Sequence, residues 1–79
     1  METLERAERI ERVRESAIKT IKLLVEASQT AYEIRSLALT MDDKRKFLGV
    51  ELDCMNRAYD IKDELSWILT EEDLKGIEM

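Results

Sequence analysis

A chain of 79 residues with no Pro, two Gly and 39% charged side chains lacks the turn formers of β architectures and points to one small helical domain. The single cysteine, Cys54, excludes an intrachain disulfide, and the absence of His removes catalytic triads and His-ligated metals. The net charge of −5 lies in the second half: residues 1–40 set seven Lys/Arg against seven Asp/Glu, and residues 41–79 set six against eleven.

That balance argues against general nucleic-acid binding, whose footprint is a basic face. No window reaches the roughly 18 apolar residues of a membrane span, and the opening Met-Glu-Thr-Leu-Glu-Arg lacks the layout of a signal peptide. With one unpaired cysteine, the expectation is a cytoplasmic protein without membrane association. At this size a lone core supplies only about 3–5 kcal/mol.

Thr3 offers an N-cap, and the pattern predicts a first helix over about 3–39. Its opening turns pair charges four apart: Glu2–Arg6, Glu5–Arg9, Glu8–Arg12 and Glu15–Lys19. An a/d seam follows through Ile10, Val13, Ala17, Thr20, Leu24, Ala27, Ala31, Ile34 and Ala38, rich enough in Ala for close helix approach. A second stripe, Ile18, Ile21, Val25 and Tyr32, lies beside it.

The seam breaks near Leu39–Asp43, where Thr40 and Asp43 form a capping-box-like start. Extending the first seam's register would place Arg45, Lys62 and Ser66 inside, whereas Phe47, Glu51, Cys54, Ala58, Ile61, Leu65 and Ile68 make a better seam with a shifted register. The shift favours a tight turn and an antiparallel second helix over about 42–69 rather than one continuous helix. Leu48, Leu52, Met55, Tyr59 and Leu69 broaden its apolar face. Thr70 with Asp73 caps a short third helix over 71–77.

The expected fold is therefore all-α: an antiparallel two-helix hairpin with a short C-terminal third helix, in one domain over 1–79. Helices of ~55 and ~40 Å cannot cover each other fully. Together with the second stripe, this mismatch predicts a homo-oligomeric, four-helix-type bundle in which Ile18, Ile21, Val25 and Tyr32 form the oligomer interface.

Asp53, Asn56, Asp60, Asp63 and Trp67 follow in steps of three and four, which puts them on one face of the second helix. Carboxylates steer a basic partner and an exposed Trp is a common interface anchor, so this face is the candidate partner-binding site. The alternative is a solvated face whose Trp tucks under the third helix or a sister subunit.

Asp60, Asp63 and Glu64 also place carboxylates one turn apart, a spacing that serves Mg²⁺. Asp60-Ile-Lys-Asp63 resembles half of the paired-acid motif of the all-α nucleoside-triphosphate pyrophosphohydrolases, but Glu26 and Glu33 stand seven apart and supply no second half. Glu51-Leu52-Asp53 with Tyr59 resembles the signature of the small sporulation aspartyl-phosphate phosphatases, which are helical hairpins. Gly49-Val50 replace the Ser-Gln of that signature, so its activity is not implied.

Cys54 lies on the seam as a buried, inert thiol, and Met55 and Tyr59 read as core rather than as a cofactor box. Lys44, Arg45 and Lys46 form a solvated basic knuckle at the turn, or line an anion pocket if the turn packs in an oligomer.

These readings converge on a small acidic helical protein–protein interaction module, of the adaptor, chaperone or inhibitor-type regulator kind. It is expected to act as a homo-oligomer, without enzymatic activity, catalytic residues, cofactor or metal. The rival is a small-ligand or nucleotide binder, or a Mg-dependent phosphohydrolase, built at the bundle interface.

Overall fold

A computed structural model describes residues 2–77, with side chains described from Glu5 onward. It contains α1 (Glu2–Leu37), α2 (Met41–Glu64) and α3 (Glu71–Lys75), with no strand among the described residues. The two long helices pack together as a hairpin, and the short third helix follows, in the order read from the sequence. No helix among the described residues is long and apolar enough to cross a membrane.

Local chemistry accounts for the helix starts. The Thr40 side chain accepts the Asp43 N–H at 3.2 Å, which caps α2. At α3 the capping box is complete: Thr70 Oγ1 accepts the Asp73 N–H at 3.3 Å, and Asp73 accepts the Thr70 N–H at 3.0 Å. Thr3, the expected first cap, falls inside α1, and its side chain lies outside the described residues.

The end of α2 differs from expectation. The helix stops at Glu64 rather than Leu69, and residues 65–68 continue in tight turns, with the Ile68 N–H bonded to the Leu65 carbonyl at 2.9 Å. No Gly or Pro stands there, so the cause is tertiary. The turn swings Leu69 into the core and lets the C-terminal segment lie back over the hairpin, where Leu74 and Ile77 join Ala17, Ile21 and Val25.

The seam of α1 also differs. The seam positions that are buried or half-buried are Arg14, Ala17, Ile21, Leu24, Ser28, Ala31, Arg35 and Ala38, in strict three–four alternation, and Ile18 and Val25 are covered beside them. Ala17, Leu24, Ala31 and Ala38 match the expected seam. The alternate layer sits one residue later than expected, so Val13, Thr20, Ala27 and Ile34 face outward. Hydrophobicity misled here because three of the four true positions in that layer are polar.

The resulting core is thin. Among the described residues Ile21 is the one large side chain that is fully buried, amid small residues such as Ala17 and Ala58 that let the helices approach closely. The molecule measures 58 by 21 by 15 Å. Because α2 returns from a turn at Ala38–Thr40 and has 24 residues against the 36 of α1, it reaches back only to the neighbourhood of Arg14. Residues Glu5 to Val13 are exposed. Among the described residues the expected pairs Glu5–Arg9, Glu8–Arg12 and Glu15–Lys19 do not form ion pairs; Arg14 instead takes Glu11 at 2.9 Å.

Candidate functional site

Three polar residues on the α1 seam fasten the hairpin. Arg14 donates from Nε and Nη2 to both carboxylate oxygens of Asp73, at 3.1 and 2.7 Å, and so ties α3 to α1 in a bidentate pair. Those bonds, helped by the Thr70 backbone N–H, hold the Asp73 carboxyl at about 2, well below its ordinary 3.8. The Arg14 pKa is correspondingly raised, chiefly through its bond to Asp73.

At the other end Arg35 donates to the Glu51 carboxylate, which raises the Arg35 pKa. Its guanidinium also lies 4.9 Å from the centre of the Tyr32 ring. Between the two, Ser28 Oγ donates to the Glu51 carbonyl at 3.2 Å. Among the described residues no buried side-chain nitrogen or oxygen lacks a partner. The polar seam is therefore satisfied within the chain.

These contacts create two unlike faces. On one, the C-terminal segment covers the stripe that the sequence offered to a second copy. Ile21 and Val25 are buried in the hairpin's own core, and Ile18 is half-buried against it. Of the expected oligomer interface, Ile21 and Val25 are buried within the chain itself, and Tyr32, 54% exposed, lies under Arg35. The physical reason is that Leu69, Leu74 and Ile77 supply the cover that a second hairpin was expected to give.

On the other face no described residue covers α1. Val13, Ser16, Thr20, Leu23, Ala27, Thr30, Ile34 and Leu37 are all exposed, and they too follow in steps of three and four. Not one is charged, in a chain with 39% charged residues. Leu23 and Leu37 are 56% and 81% exposed. A groove of about 380 Å³ runs along part of this stripe, lined by Val13, Ser16, Ala17 and Thr20 from α1 and by Ile61 and Leu65 from the other arm, with Arg12 at its edge.

The acidic stripe stands on α2. Asp53, Asn56, Asp60 and Asp63 are exposed, and Asp53 is paired along its own helix with Arg57 at 3.6 Å. Trp67 lies beyond the end of α2, in the 65–68 turns, and is 70% exposed; α3 does not cover it. Cys54 is a half-buried free thiol, and Lys44, Arg45 and Lys46 are exposed at the turn. Among the described residues no three Cys, Asp or Glu side chains converge as a metal site would need.

Comparison with protein-family models, with characterised proteins and with solved structures gives no match. Function therefore rests on the surfaces themselves. The open α1 stripe escaped the sequence reading because half of it was assigned to the hairpin seam. The signal that marks it is the run of uncharged residues at heptad spacing, which is legible in the sequence.

Proposed function

We propose that this chain is a small helical protein–protein interaction module, an adaptor, chaperone or inhibitor-type regulator that acts by binding another protein and assembles as a homo-oligomer. The observation that carries the reading is Trp67. A large aromatic side chain left 70% exposed, at the foot of a helix bearing Asp53, Asp60 and Asp63, is the arrangement of an interface anchor flanked by steering charge. Had the Trp packed beneath α3, the stripe would read as a solvated helix back.

The partner presents a basic, apolar-centred surface. Trp67→Ala is expected to abolish capture of that partner from a native extract while leaving helicity and melting temperature unchanged. Reversing Asp60 and Asp63 to Lys slows association and removes its salt dependence. A Trp67→Ala protein that captures the same set of proteins as the parent, identified by mass spectrometry, contradicts the assignment.

A further inference from the structure

We infer that the open stripe of α1 is a self-complementary seam, on which a second copy of this chain docks with its α1 antiparallel to the first. The inference rests on the homo-oligomer part of the proposed function and names the face and the geometry.

Charge sets the direction. The residues that flank the stripe on its solvent side are Arg12, Lys19, Glu26 and Glu33, so the flank is basic toward the N-terminus and acidic toward the C-terminus. Such a flank is its own complement only when reversed. Antiparallel pairing lays the basic half of one copy along the acidic half of the other, and brings Lys19 within two residues of the level of Glu33 on both sides of the dyad. Parallel pairing sets the two flanks on opposite sides of the interface, where Lys19 and Glu33 do not meet.

Side-chain size sets the register. With the dyad at the level of Val25, Leu23 of each copy falls opposite Ala27 of the other, and Ile34 opposite Ser16. Thr20 meets Thr30, and Leu37 meets Val13 at the ends. Leu23 and Ile34 thus face small residues, which lets the helices interlock. In this register Ile34 and Leu37 of the second copy enter the groove of about 380 Å³ between Val13, Ser16, Thr20, Ile61 and Leu65.

Surface area supports the same occupant. The chain exposes 6360 Å², whereas a folded monomer of 9.3 kDa exposes roughly 5,000 Å² by the usual mass scaling. A standard interface removes about 800 Å² per partner, so one such contact absorbs more than half the excess. The stripe lies about 100° around α1 from the side that carries α2, given the helical period. A dyad across α1 then sets both α2 helices on the same side and closes a four-helix bundle.

Directed cysteine pairing tests this on the full-length chain in a Cys54→Ser background. Thr20→Cys and Thr30→Cys proteins are prepared separately, then oxidised alone and as a mixture. The expected result is a covalent dimer in the mixture, containing one of each chain, and little from either alone. Dimers from Thr20→Cys alone and Thr30→Cys alone, with none mixed, show a parallel arrangement and overturn the proposal. A dimer by sedimentation that crosslinks in none of the three samples places self-association on another face. That overturns the seam while leaving the homo-oligomer reading standing. A parent protein that sediments as a folded monomer at micromolar concentration overturns both, and capture through Trp67 stands apart from either result. Leu23→Arg is expected to yield a folded monomer with unchanged helical circular dichroism; retention of the dimer in that variant contradicts the assignment.

Discussion

The two faces of α1 begin from similar sequence and end in opposite states. Ile18, Ile21 and Val25 form a short apolar stripe that the chain covers itself, folding Leu69, Leu74 and Ile77 over it and fastening them with the Arg14–Asp73 pair. Val13, Thr20, Leu23, Ile34 and Leu37 form a longer stripe that the chain leaves open. The difference shows that apolar periodicity alone does not say which stripe is core. The choice is made by what else the chain can bring to each side, and here a cap of a few residues decides it.

The sharpest way to break the contrast is to truncate one large residue on each face. Ile21→Ala removes the one large fully buried side chain, and a cost of about 2–4 kcal/mol is expected, comparable with all the stability a core this small supplies. A thermal melt followed by circular dichroism should find it largely unfolded. Leu23→Ala, on the open face, should change the stability of the separated chain by less than about 0.5 kcal/mol. Equal losses from the two substitutions, measured in dilute solution, would erase the distinction.

The fastening of the closed face is tested by acid. Because the Asp73 carboxyl is held at about 2 in the folded chain against an ordinary 3.8, the unfolded chain takes up the proton first as pH falls. The stabilisation is therefore complete above about pH 4 and is lost as pH drops from 3.8 toward 2. In Asp73→Asn the stability at neutral pH is lower and this segment of the acid dependence flattens. An unchanged acid limb in chemical denaturation across pH would remove the pair from its role. A modest gain belongs to the back of α2, where an added Cβ at Gly49 meets nothing within 4 Å. Gly49→Ala should stabilise by about 0.5–1 kcal/mol, through the helix propensity gained at a site that touches neither face.

Much of the fold was legible in the sequence because its determinants are local. Thr40 and Thr70 cap α2 and α3 as their spacing to Asp43 and Asp73 implies, and the absence of Gly and Pro keeps α1 unbroken to Leu37. The layer Ala17–Leu24–Ala31–Ala38 was also readable. Its companion layer was not, since Arg14, Ser28 and Arg35 earn their places by bonds to Asp73 and Glu51 that lie far along the chain. The early end of α2 was hidden for a similar reason: nothing local stops it at Glu64, and the gain comes from burying Leu69 and Ile77. Of the candidate surfaces, the exposure of Asp53, Asn56, Asp60 and Asp63 is legible from spacing, whereas Trp67 lies beyond the helix that the spacing assumes. The open α1 seam was obscured by a one-residue slip in the assigned register.

The distinction between a closed and an open face is tested most directly by sedimentation equilibrium of the unmodified protein across micromolar concentrations. A closed face and an occupied open face give a reversible species of twice the 9.3 kDa chain mass, dissociating on dilution and lost in Leu23→Arg. A folded species of the single-chain mass at every concentration would contradict it.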